Sequence, residues 1–236
     1  MGLFDKLFGG TKKDSNVEPP KNTNFTSLDK LMDEDQFWKI IQTTKDNSGG
    51  DFEEQQEQLA IELRKLTTDD IILFGNRFRY FRGQANTWEL WGAIYIIHGG
   101  CSDDSFNDFR EWVIGQGKDF YYKTIKDPES LVEFNTDSMD EIEWEGLGYV
   151  ASTVFEEITG QEMPYPFQEQ IETTGKEWEE DSDDLKKMFP RLAAKFPDHI
   201  WQEEQRTANM GFMQVGLDKP GNFKMTSRSI ISVKFG

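Results

Sequence analysis

Residues 69–84, "DDIILFGNRFRYFRGQ", decide the fold class because their apolar side chains recur with the period of an α-helix. The spacing i, i+3, i+7 and i+10 places four of them on one helical face: Ile71, Phe74, Phe78 and Phe81. The next stretch, "TWELWGAIYII" at residues 87–97, is almost continuously apolar. Such a stretch is typical of a helix buried on most sides. Together the two segments predict a helical core.

The helical period continues on both sides of this core. "MDEDQFWKII" begins at Met32 and carries a capping box, in which Gln36 follows Asp33 by three residues. "SDDLKKMFPRLAAKF", residues 182–196, predicts two short helices broken at Pro190. We therefore expect a mainly α-helical protein, with a single compact domain of about six to eight helices over roughly residues 32–197.

The two ends of the chain lack this period. Residues 1–31 form an N-terminal segment and a flexible linker rich in Gly, Lys, Asn and Pro. Residues 198–236 predict an irregular C-terminal extension, in which "SIISVKFG" could form a β-strand. A weak membrane contact stays open as an alternative to a frayed N-terminus, through four apolar side chains: Leu3, Phe4, Leu7 and Phe8.

Composition argues against several classes of protein. The net charge of -18 and the pI of about 4.5 repel phosphate backbones, so no nucleic-acid partner is expected. The single cysteine excludes an intramolecular disulfide and suits a reducing compartment. The chain has neither the roughly 18 consecutive apolar residues of a membrane span nor the pattern of a secretory signal. We expect a cytoplasmic protein.

One stretch combines reactive side chains: "HGGCSDDSFNDFREW", residues 98–112. Cys101 lies just before a predicted helix start, where the helix dipole would favour a thiolate, and His98 lies three residues earlier. A nucleophilic pair is one interpretation. The other, which we favour, is that His98 ends a buried helix and Cys101 is a small buried apolar residue.

The carboxylates of the same stretch also allow two interpretations. Asp104, Asp108 and Glu111 fall at i, i+4 and i+7, so one helical face could present three acids to a hard divalent cation. We favour a solvated face opposite the apolar side of the helix. Arg110 is expected to pair with Asp103 or Asn107. No metal, cofactor or catalytic residue is predicted.

"GNRFRYFRG", residues 75–83, is the converse, basic patch. Its arginines, Arg77, Arg79 and Arg82, could bind a phosphate or stack on a nucleotide. The interpretation we favour makes the phenylalanines between them core residues and the arginines surface groups that pair with acids elsewhere in the chain.

A family resemblance rests on three of these motifs. "LWGAIYIIHGGCSDDSFNDFREWVIGQG", the "MDEDQFWKII" start and the closing "FPRLAAKF" resemble a bacterial family known as domain of unknown function 4240, over roughly residues 32–197. The "GGCSDDSF" and "DFREW" parts are the most specific. The resemblance implies one largely helical cytoplasmic domain and brings no assigned reaction or catalytic residues.

Acidic residues are concentrated in one part of the chain. From Asp127 to Gly175, 49 residues include 13 acids and no Lys or Arg, and "DSMDEIEWEG", residues 137–146, places five acids around Trp144. Ordinary solvated surface is one interpretation. We favour an acidic face with an aromatic anchor that binds a basic protein, such as a toxin or nuclease. The residues assigned to it are Asp137, Asp140, Glu141, Glu143, Trp144 and Glu145.

The predicted function is therefore that of a non-enzymatic, cytosolic protein-binding domain of the immunity or antitoxin type. The alternative is a ligand- or metal-binding domain with its site near residues 98–111, which could also catalyse a hydrolysis. The residues of that alternative site are His98, Cys101, Asp104, Asp108 and Arg110.

Overall fold

The computed structural model describes residues 30–134, 146–179 and 183–197, and it is mainly helical, as the sequence predicts. Two 3-10 helices, Pro128–Glu133 and Leu147–Tyr149, accompany the α-helices. The α-helices of the described residues are α1 (Glu34–Ser48), α2 (Phe52–Leu63), α3 (Thr68–Gln84), α4 (Trp88–His98), α5 (Asp103–Gly115), α6 (Lys118–Lys126), α7 (Val150–Thr159), α8 (Asp184–Met188) and α9 (Pro190–Lys195). The short α8 and α9, separated at Pro190 as predicted, bring their number to nine.

Side-chain caps set the first residue of five helices. In each case a carboxylate or hydroxyl oxygen accepts a hydrogen bond from the backbone N–H three residues on, which satisfies an otherwise unpaired helix donor. The capping residues of α1 to α5 are Asp33, Asp51, Thr67, Thr87 and Ser102. The Asp33 cap bonds Gln36, as the capping box predicts, at 3.0 Å.

The aromatic face of α3 forms the centre of the core, as its spacing predicts. Phe74, Phe78 and Phe81 are each no more than 2% exposed. Their rings lie 4.9, 6.4 and 5.3 Å, in that order, from the ring of Phe37 on α1. The Trp38 ring lies 4.6 Å from Phe81. Burial of such large side chains, each contributing about 1.5–3 kcal/mol, dominates the stability of this core.

An irregular segment, residues 163–178, crosses α3 and α4; we call it the strap. It is fixed at both ends by buried side chains, Met163 and Trp178. At three places a helix glycine leaves room for it. A Cβ on Gly75 would lie 2.8 Å from Met163, one on Gly83 would lie 3.2 Å from the strap backbone, and one on Gly92 would lie 2.9 Å from Trp178.

Backbone hydrogen bonds hold the strap to the turn between α3 and α4. Thr174 N–H donates to the Asn86 carbonyl at 3.0 Å, and Trp88 N–H donates to the Thr174 carbonyl at 2.8 Å. These bonds form a single parallel β-bridge. Beyond the strap, Leu185 of α8 and Phe189 are buried against α4.

The predicted N-terminal linker and the C-terminal extension with its possible strand lie outside the described residues, except for the last residues before α1. No helix in the described ranges is long and apolar enough to cross a membrane.

Candidate functional site

The stretch at residues 98–112 forms a corner between two helices. Helix α4 ends at His98, where Gly99 adopts a left-handed conformation with φ of 67°. Ser102 caps α5, which begins at Asp103. The turn is fixed from inside, since the indole N–H of Trp91 donates to the Cys101 carbonyl at 3.0 Å.

Cys101 is held as a protonated thiol in this corner. Burial raises its pKa to about 12, and the neighbouring Asp108 carboxylate adds to the rise. A thiolate is the reactive form of cysteine, so the group is a poor nucleophile at neutral pH. The expectation that the helix start would favour a thiolate is wrong here, because desolvation outweighs the dipole.

The three acids of α5 do not share one exposed face. Asp104 is exposed and Asp108 half-buried, whereas Glu111 is only 1% exposed. Glu111 is therefore not part of a solvated face, contrary to the interpretation we favour. Across the described ranges, no three His, Cys, Asp or Glu side chains come together as a metal site would require.

Arg110 packs against its own helix and the end of α3. Its guanidinium carbon lies 4.9 Å from the Phe106 ring centroid, and its Nη atoms donate to the Arg82 carbonyl at 3.1 Å and to Asn107 Oδ1 at 3.2 Å. Of the two neighbours considered, the partner is therefore Asn107 and not Asp103. Burial lowers the Arg110 pKa to about 10.

Arg82 lies at the centre of a group of buried charges. Its Nη1 donates to Glu111 Oε1 at 2.5 Å. Its Nε and Nη2 donate to the two oxygens of Glu169 at 2.8 and 2.6 Å, a bidentate arrangement that is among the stronger ion-pair geometries. Arg79 adds a weaker contact to Glu169 at 3.4 Å. We call these residues and Arg110 the charge cluster.

The cluster is largely removed from solvent. The side chains of Glu111, Glu169 and Arg82 are 2%, 9% and 19% exposed. Burial raises the pKa of Glu111, while Arg82 and the Gly148 N–H, which donates to it at 2.8 Å, oppose the rise. Burial also acts to lower the pKa of Arg82, but Glu169 and Glu111 outweigh it, and the pKa is raised. The contacts of Arg82 with Glu169 hold the strap to α3, and its contact with Glu111 joins α3 to α5.

These contacts test the interpretation of the basic patch. Arg79 and Arg82 do pair with acids distant in the chain, as predicted. Arg77 instead donates from Nε to the Met32 carbonyl at 2.7 Å. The sequence analysis did not identify Glu169 as the partner of Arg82, and it did not predict the burial of Glu111. The only local signal for the latter is the run of apolar residues that follows it, "WVI" at 112–114.

The predicted partner-binding residues fall in the gap between residues 134 and 146 of the described structure. Asp137, Asp140, Glu141, Glu143, Trp144 and Glu145 all lie outside the described residues. The segment that carries them leaves the described structure after Phe134 and re-enters it at Gly146.

Fold and site together define an all-helical domain whose irregular strap is held by a buried arginine–carboxylate cluster. A family model matches residues 32–157, slightly more than half of the 236 residues. The chain belongs to this family, which is described as "Protein of unknown function (DUF4240)". No curated protein and no solved structure matches the chain. Four members of the charge cluster fall within the matched residues, and Glu169 falls beyond them.

Proposed function

We propose that this protein is a non-enzymatic, cytoplasmic protein-binding domain of the immunity or antitoxin type, which uses an acidic face to cover a basic protein. The observation that carries the proposal is the run of 13 acids without Lys or Arg between residues 127 and 175. Like charges at this density repel one another, and a basic partner relieves that repulsion.

The described acids of this run divide into two groups. Some form ion pairs that tie the domain together, such as Glu157 with Arg64 at 2.8 Å and Glu133 with Lys123 at 2.6 Å. Others are exposed and form no ion pair with any described residue. These are Asp127, Glu156, Glu162 and Glu172. The second group supports a binding role, since its charge is available to a partner.

The described residues around Gly146, which follows the predicted face in sequence, carry the same sign of charge. Gly146 lies against α2, where a Cβ on it would be 2.9 Å from Gln56 Nε2. Glu53 and Glu57 lie three residues before and one after Gln56 on that helix, so all three share a face or its edge. The exposed ring of Tyr149, 55% accessible, follows within three residues. Two carboxylates and an aromatic ring thus belong to the described elements beside Gly146.

Electrostatic attraction of this kind raises association rates and discriminates against wrong partners. Its range is limited to a Debye length, about 8 Å at physiological salt, so binding should weaken steeply with added salt. Burial of Trp144 by the partner would supply the apolar anchor that charge alone lacks.

The experiment is a pull-down from source cells with the full chain as bait, washed at low and high salt. One variant carries Asp137→Asn, Asp140→Asn, Glu141→Gln, Glu143→Gln and Glu145→Gln. A matched control neutralises five exposed acids elsewhere: Asp46, Asp69, Asp103, Asp104 and Asp119. Both variants change the net charge from -18 to -13, because each loses five negative charges.

We expect the parent chain and the control to retain the same basic protein, the 137–145 variant to lose it, and high salt to release it. Equal loss from the two variants would show that overall charge, and not this face, causes binding, and full retention by both would show that neither does. Recovery of no basic protein would contradict the proposal altogether.

A further inference from the structure

We propose that the strap is a pre-organised recognition segment, and that Ile171 inserts into an apolar pocket of the basic partner. This inference rests on the proposed function, because it assigns a contact point to the same partner. It starts from the side chain of Ile171, which is 86% exposed, the most exposed large apolar side chain among the described residues.

The backbone on both sides of Ile171 is fixed although its side chain points into solvent. Two residues earlier, the Glu169 carboxylate is held by Arg82. The carbonyl of Ile171 itself accepts a hydrogen bond from Asn86 Nδ2 at 3.0 Å. Three residues later, Thr174 forms the β-bridge to the turn before α4. The segment between these points has little freedom left to lose.

Such a segment binds at low entropic cost. Ordering a mobile loop on association opposes binding, and a loop already held in its bound form avoids that loss. Here the buried charge cluster and Asn86, which is 5% exposed, hold the loop from beneath. A structural role for the strap alone would need its inward-facing groups but not an exposed isoleucine at the centre.

The charge around Ile171 identifies the kind of partner. Glu162, Glu172 and Glu177 of the strap region are exposed, and Lys176 is the only base between residues 161 and 179. Ile171 can fill a desolvated pocket of a partner, and its acidic neighbours in sequence favour a partner of opposite charge. The combination fits a protein with an apolar pocket in a basic surface, and the acids repel an anionic membrane.

The test uses the full chain with the photo-cross-linker p-benzoylphenylalanine at position 171, expressed in source cells. A second chain carries it at position 61, because Ile61 is also an exposed isoleucine, at 44%, and belongs to α2 and not to the strap. The protein cross-linked at 171 is then purified, and its Kd is measured for the parent chain, Ile171→Ser and Ile61→Ser.

We expect position 171 to cross-link the basic protein that the acidic face retains. Ile171→Ser should raise the Kd at least about tenfold, in the manner of a hot-spot residue, and Ile61→Ser should change it less than about twofold. Ile171→Ser should leave the melting temperature unchanged, because its side chain is 86% exposed.

Three outcomes would overturn the inference: no cross-link at 171, a cross-linked protein that is not basic, or equal effects of the two serine variants. If binding is lost on neutralising residues 137–145 but unchanged in Ile171→Ser, the strap inference fails and the proposed function stands. If no basic protein binds in either experiment, both fail.

Discussion

Arg82→Met tests the charge cluster most directly, because Arg82 is the shared partner of two buried carboxylates. The substitution keeps an unbranched, apolar stem but leaves Glu111 and Glu169 without the cation between them. Removing one member of a buried ion pair costs about 3–5 kcal/mol, since the remaining charge is desolvated and unpaired. We therefore expect the free energy of unfolding to fall by about that amount at pH 8.

The stability lost in Arg82→Met should depend on pH. The pKa of Glu111 in the folded protein is already above its ordinary value, and Arg82 holds it down. Without Arg82 the pKa rises further, so the folded variant takes up a proton as the pH falls, while the unfolded chain stays ionised until lower pH. Binding that proton stabilises the folded form. The difference between parent and variant should therefore shrink from pH 8 to pH 5.5.

The assay is urea unfolding followed by tryptophan fluorescence at both pH values. Arg64→Met is the matched control, because Arg64 and Glu157 form an ion pair of similar length whose side chains are 33% and 47% exposed. That exposed pair should contribute no more than about 1 kcal/mol. The reasoning is refuted if the two variants lose equal stability at pH 8, or if the Arg82→Met loss is the same at pH 5.5.

Two further predictions concern packing and the cysteine. Gly92→Ala should lower the free energy of unfolding by about 1–3 kcal/mol, because its Cβ would lie within 3.0 Å of Leu185, Trp178 and Phe189. In Gly75→Ala the new Cβ would meet only the terminal methyl of Met163 that closely. This substitution should leave the free energy of unfolding unchanged or raise it by up to about 1 kcal/mol through helix propensity. Equal changes in melting temperature for the two variants would contradict this account. Cys101, with its pKa of about 12, should react with iodoacetamide at pH 8 at least about tenfold more slowly in the folded chain than in urea, and equal rates would contradict the burial argument.

The elements that could be predicted are those that local spacing and capping define. The aromatic face of α3, the Asp33 cap and the break at Pro190 all follow from residues within a few positions of one another. Helix periodicity also assigned Glu111 to a solvated face, and there it was wrong. The partner that makes its burial tolerable, Arg82, lies 29 residues away, which no local pattern records.

The strap could not be predicted from local sequence patterns either. It has no period of its own, and its contacts join residues about 80 to 90 apart in sequence, such as Arg82 with Glu169 and Trp88 with Trp178. Only the glycines on the receiving helices hint at a close approach, and a helix glycine by itself does not say what approaches it. The acidic face at 137–145 stays a prediction, since those residues lie outside the described structure.

The packing at Gly92 has a consequence for how the chain is made. During synthesis α4 is completed about 80 residues before Trp178 and about 90 before Leu185 and Phe189, the side chains that finally cover it. At an ordinary rate of about 5–20 residues per second, one flank of α4 stays open for about 4–18 seconds, and about the last 1–6 of them follow the synthesis of residue 157, the end of the family match. Co-translational folding therefore cannot finish when that match has been synthesised, and a ribosome stalled near residue 157 would present an open apolar surface to chaperones.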